Sequence, residues 1–238
     1  MRRIVTLVIV LAISAPLSAC GSSSSPPSTS TSTPPSSPRA ELAAMRNAVR
    51  HQHSVHYVST ASTHGHKVRT VFDVGKGVGI QRTTVTTGHH TEHASVIVSG
   101  GSAYIKGDVF TMHDYFGFTK AQATKYAGRW ISVPQSNPGY ATVSADATLE
   151  SFVANLFPQK KLSSVTAVNL VGVRGIMTQH GVTVHVTIFA PVRGQPLPVK
   201  KMVSSGHSLN GVVTMTGWNE ALDVHAPSHA VPVANIVR

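Results

Sequence analysis

An α+β fold, in which helices inserted midway along the chain cover the dry face of an antiparallel sheet, is predicted by three observations. Between residues 54 and 98, short runs rich in Val, Thr, Ile and Tyr are punctuated by His64-Gly65, Gly75-Lys76-Gly77 and Gly88-His89-His90, which reads as strands joined by hairpins. Between residues 108 and 158 that rhythm gives way to helix formers and to apolar residues three and four apart. From residue 164 it resumes, and Val182, Val184, Val186 and Ile188 alternate with Thr183, His185 and Thr187, so one sheet face is apolar. Such a face must be covered, and inserted amphipathic helices are the available cover.

The elements follow in order. Ser37 is a hydroxyl cap, Pro38 suits the first helical position and Glu41 the first turn, and Leu42, Met45 and Val49 recur at helical spacing, giving a helix over 38–51. The strands over 54–98 come next, then a turn at Gly100-Gly101 and a short strand over 103–106. Two short helices are expected over 108–117 and 119–126, and a strand over 129–133 that ends at Pro134. After Asn137-Pro138-Gly139, Ser144 is expected to cap the strongest amphipathic helix, carrying Leu149, Phe152, Val153, Leu156 and Phe157 and stopped by Pro158. The remaining strands are expected near 164–171, 173–180, 182–189, 198–204, 210–217 and 221–225, with Gly172, His180-Gly181, Gly194 and Gly206 at or beside the joints.

Residues 1–19 carry the marks of a secretory signal: Arg2 and Arg3, then an apolar run of about ten residues, against the roughly 20 a spanning helix needs. The run ends in Leu17-Ser18-Ala19-Cys20, which matches the bacterial lipobox, where the cysteine thiol receives a diacylglycerol. Cys20 is the single cysteine of the chain. Apart from Gly21, residues 21–38 are Ser, Thr and Pro. With no apolar side chains to bury they form no core, and residues 20–38 read as a lipidated, disordered tether reaching roughly 50 Å at about 3 Å per residue. Residues 39–238 suit one domain. These readings place the chain on the extracytoplasmic face of the cell membrane, held by its lipid.

Removal of Arg2 and Arg3 with the leader lowers the formal charge from +11 to +9. A basic, tethered domain is attracted to anionic headgroups and wall polymers over a screening length of about 8–10 Å. Export and the scatter of the cations argue against nucleic acid as a partner.

The order helix, strands, helical insertion, strands resembles the LolA/LolB-type fold and, more closely, the actinobacterial lipoproteins of the LppX/LprG group. The resemblance is carried by Tyr104-Ile105-Lys106-Gly107-Asp108, by Gly128-Arg129-Trp130-Ile131-Ser132-Val133-Pro134, and by Trp218-Asn219 leading to Val224-His225-Ala226-Pro227. It implies a curved sheet, an incomplete β-barrel closed by helices, that holds the acyl chains of a lipid, glycolipid or lipoprotein. On that fold the expected lining is Phe72, Phe152, Leu156, Val184, Val186 and Ile188. Lys160, Lys161, Lys200 and Lys201 are the expected headgroup residues.

No enzyme is expected. Gly206-His207-Ser208-Leu209-Asn210 lacks the last glycine of a nucleophile elbow, no Ser-x-x-Lys occurs, and nine carboxylates are scattered through the chain. No cofactor is expected either. The alternatives are an envelope sensor binding a protein partner, and a histidine-rich metal-binding lipoprotein using His51, His53, His89, His90 and His93. The lipobox reading makes a direct prediction: Cys20→Ser abolishes incorporation of labelled palmitate and shifts the protein out of the membrane fraction.

Overall fold

The computed structural model describes residues 37–63, 65–179, 182–206 and 209–236. Cys20, the leader, the tether up to Ser36, and His64, His180 and His207 lie outside the described residues. Helix α1 (Pro38–Arg50) begins where the sequence places it, with the Ser37 hydroxyl accepting from the Ala40 N–H and with Leu42, Met45 and Val49 on its buried side. Five strands follow as a meander: β1 (Ser54–Thr63), β2 (His66–Gly75), β3 (Val78–Thr87), β4 (His90–Ser99) and β5 (Ser102–Gly107). Gly100 and Gly101 both have positive φ, the backbone that a two-residue hairpin loop between twisted strands requires.

The insertion contains α2 (Val109–Asp114), α3 (Lys120–Tyr126), β6 (Ile131–Pro134), α4 (Tyr140–Val143) and α5 (Leu149–Ala154). A second meander follows: β7 (Lys160–Ala167), β8 (Leu170–Gln179), β9 (Val182–Pro191), β10 (Lys200–Ser205) and β11 (Leu209–Thr216). The chain ends in β12 (Val231–Pro232) and a 3-10 turn. All described strands belong to one sheet, in the order β12-β6-β5-β4-β3-β2-β1-β11-β10-β9-β8-β7. The antiparallel pair β1 and β11 joins the two meanders. Among the described strands only β12 runs parallel to its neighbour, β6.

Register sets the faces, because residues directly opposite one another share a face. Tyr57 lies opposite Phe72 and Met215, Lys201 opposite Val213 and Ile188, and Ile188 opposite Val173. This inner face carries the core. β2 and β8 stand five strand positions apart, roughly 24 Å in a flat sheet, yet Phe72, Val74 and Val173 share one apolar cluster with Leu42, Met45, Val49 and Phe152. The sheet is therefore curved around α1 and α5, and its two edges stay open. A second cluster, with Val96, Ile105 and Ile131 beneath Met112 and Ala123, covers the β4–β6 end with α2 and α3.

Four expectations are corrected. Ser144 does not start the long amphipathic helix; it ends α4, and Asp146 then adopts a left-handed backbone (φ 60°) that no helix tolerates. Thr148 caps a new helix that closes at Asn155, so Leu156 and Phe157 lie beyond it and Pro158 is not what stops it. Gly172 is inside β8, where a side chain would strike the Ile188 carbonyl and the Phe189 ring; the joint is at Asn169 (φ 57°). Residues 221–225 form no strand. Both flanks of β11 are occupied by β1 and β10, and Asn219 (φ 66°) turns the chain away, anchored by its side chain to the His53 N–H and to Gln52.

The edge strand β7 is bulged between Lys160 and Ser163, with Lys161 at φ 52°. Ile188 is fully buried at the centre of the first cluster. Ile188→Ala should lower the unfolding free energy by about 2–5 kcal/mol, read from the urea midpoint, whereas Val192→Ala, at an exposed position, should leave it unchanged.

Candidate functional site

Residues 144–157 form a strap across the inner face, and their attachments define the candidate site. Gly79 of β3 is the first: a β-carbon there would lie 2.2 Å from the Ala147 carbonyl oxygen, so the strap backbone rests directly on the sheet. At the β2–β3 turn the Gly77 N–H donates to Glu150 Oε2 (3.2 Å). On β1 the Tyr57 hydroxyl donates to the Asp146 carbonyl (3.1 Å), and within the strap Asn155 Nδ2 donates to Asp146 Oδ1 (3.3 Å). On β10 the Lys201 ammonium donates to the Asn155 carbonyl. Between these polar pins the ring of Phe152 stacks on Tyr57, and Tyr57 stacks on Phe72, with centroids 4.2 Å apart in each pair.

Phe72, Phe152, Leu156 and Ile188 come together in the first core cluster, as the sequence reading grouped them. Val184 and Val186 do not join them; they pack with Met177 and Val203 in a smaller cluster nearer the β8–β9 hairpin. All six are buried and surrounded by the protein's own side chains. A cavity of about 910 Å³ lies instead on the other side of the sheet, lined by outward residues of β1, β2, β3, β8, β9, β10 and β11, among them Lys67, Arg69, Thr84, Arg174, His185 and Met202. Sequence alternation could have found that face, since its polar members are the partners of the apolar ones, but not its concavity.

The lysine pairs separate. Lys160 and Lys161 are exposed at the β7 edge and Lys200 is half-buried on the outer face, whereas Lys201 points inward with 5 % of its surface exposed. A buried ammonium under the strap cannot stand at a solvent-facing mouth, which corrects the expectation for Lys201. No sequence signal distinguishes Lys201 from Lys200 except the strand alternation that puts it opposite Ile188.

The histidines are not gathered. His51 caps the end of α1 and His53 precedes β1, while His89 and His90 lie at the far end of the ten-residue strand β3, roughly 30 Å along the sheet; His93 follows on β4. Among the described residues no group of three or more His, Cys, Asp or Glu is placed to hold a metal ion. Nor is any helix among them long and apolar enough to cross a membrane.

Burial brings the Lys201 pKa down to about 8, with the nearby Asp146 carboxylate opposing the fall. Burial, then Asp146, raises that of Tyr57. Below pH 8 Lys201 is charged in both folded and unfolded chains, and the desolvation penalty is present in full. As pH rises from 8 towards 10.5 the unfolded chain holds the extra proton, so this lysine makes stability increase with pH by up to roughly 3 kcal/mol. Denaturant unfolding between pH 8 and 9.5, below the range where tyrosine ionises, should show that rise in the native chain. It should be absent in Lys201→Met.

No family model matches the chain, and no curated protein matches it. Among solved structures, the chain is similar to the lipoprotein LppX of Mycobacterium tuberculosis, with a TM-score of 0.45 and 14% sequence identity over 79% of this chain and 98% of that one.

Proposed function

We propose that this protein is a lipid-anchored carrier on the extracytoplasmic face of the cell membrane. It shelters the acyl chains of a lipid, glycolipid or lipoprotein between the inner sheet face and the strap over residues 144–157. The observation that carries the reading is how the strap closes the core. It sets Leu149, Phe152, Leu156 and Phe157 on the sheet through a six-residue helix and irregular flanks. A helix that short has little stability of its own. Its polar pins can be exchanged for water, and its apolar side chains make the contacts that a hydrocarbon chain would make in their place.

Transfer energetics suit such a substitution. At roughly 0.8 kcal/mol per buried methylene, a sixteen-carbon chain gains on the order of 10 kcal/mol before the costs of association. That is comparable with the cost of undocking four residues whose own burial is worth about 1.5–3 kcal/mol each, and re-burial of some of them on the chain moves the balance towards the bound state. Phe72, Val184, Val186 and Ile188 would then form the fixed floor, with Phe152 and Leu156 as the movable wall. No reactive group is required, and the reading assigns no catalytic residue and no cofactor.

Native mass spectrometry of the lipidated protein, extracted from membranes in mild detergent, is expected to show a bound acyl lipid in addition to the anchor. Repeated absence of that species, together with no fluorescence gain from cis-parinaric acid, would overturn the proposal. Gly79→Ala forces the strap off β3 and should speed parinaric acid uptake by about threefold or more, with the circular dichroism spectrum retained.

A further inference from the structure

The cavity on the outer face has its own chemistry. Lys67 and Arg69 stand on β2 at one side and Arg174 on β8 at the other, with His185 of β9 beside it. No Asp or Glu lines the cavity, and among the described residues none of the three permanent cations makes an ion pair. The acidic residue of β2 that shares this face, Asp73, is already engaged by His56 at 2.6 Å and Arg82 at 3.2 Å. Between the cationic rims the surface is hydroxylic and apolar. Met202 is 42 % exposed there, and Val212 lies beside it on the neighbouring strand.

We infer that this basin binds an anionic phospholipid by its headgroup. The phosphodiester meets Lys67 and Arg69 at the β2 rim, the hydroxylic lining meets the polar part of the headgroup, Met202 and Val212 receive the glycerol and the first methylenes, and Arg174 at the β8 rim adds its positive potential from across the basin. Charge complementarity selects an anion, and a guanidinium matches phosphate oxygens in a fork geometry. The exposed methionine on the floor favours an amphiphile over a free ion. A volume of about 910 Å³ suits one such molecule. Nucleic acid is disfavoured because the lining has no Phe, Tyr or Trp on which bases stack. This site is on the opposite face from the acyl-chain interior and does not rest on it.

The test uses the full lipidated protein in neutral maltoside micelles, titrated calorimetrically with dihexanoyl phosphatidylglycerol, dihexanoyl phosphatidylcholine and inorganic phosphate. Saturable binding of the phosphatidylglycerol is expected, with phosphatidylcholine and free phosphate each at least tenfold weaker. The double variant Arg69→Glu/Arg174→Glu should lose at least tenfold in affinity with its melting temperature retained. Arg39→Glu/Lys120→Glu, at exposed positions in the first turns of α1 and α3, changes net charge equally and should bind as the native chain does. Equal binding of phosphatidylcholine, free phosphate as tight as the lipid, or an equal loss in the Arg39/Lys120 variant would overturn the inference. Parinaric acid uptake by Arg69→Glu/Arg174→Glu should be unchanged; a parallel loss would place both ligands in one site and overturn the separate basin.

Discussion

The one-sided dryness of the sheet is the constraint on which the rest of the structure depends. A sheet whose twelve described strands present Val, Ile, Phe and Met on a single face cannot leave that face in water. Its cover has to come from few places, because most connections between strands are tight turns. α1 arrives from the N-terminal side and lies on β7 and β8, and the insertion between β5 and β7 supplies most of the rest, with Leu197 and Trp218 packed against the first cluster and Ile236 in the second. Curvature follows, because only a bent sheet lets β2 and β8 share the same two helices.

The strap is where this economy is most visible. Its backbone touches β3, its Glu150 side chain reaches the β2–β3 turn, its Phe152 ring stacks on Tyr57 of β1, and its Asn155 carbonyl accepts from Lys201 of β10. One irregular segment thus ties together strands that are distant in the ladder. The tie is made partly with buried polar groups, which are less favourable to bury than apolar ones unless each is satisfied. The Tyr57 hydroxyl and the Lys201 ammonium, both buried, each donate to a carbonyl of the strap, so truncating the strap's end of either bond would leave a buried donor to be satisfied.

Most of the fold was legible because its elements are local. The Ser37-Pro38 helix start, the Gly-centred hairpins and the alternation in β9 are each decided by residues within a few positions of one another. What was missed depended on contacts far apart in sequence. The break at Asp146 follows from Ala147 meeting Gly79, and the loss of a strand over 221–225 from the occupation of both sides of β11. At the candidate site the apolar members were legible from periodicity, and four of the six gather as grouped. Lys201 and the outer basin were not, since inward or outward placement of a lysine and the concavity of a face are properties of the bent sheet and not of any short segment.

The bulged start of β7 bears on how copies of the protein coexist. An open-edged sheet offers its last strand to any neighbour with a free ladder. Two lysines, one of them with left-handed backbone, and a register slip at the head of that border strand interrupt the row of amide donors and acceptors and put charge where a second chain would dock. Charge and irregularity at that border make it a poor template for extending the open sheet strand by strand.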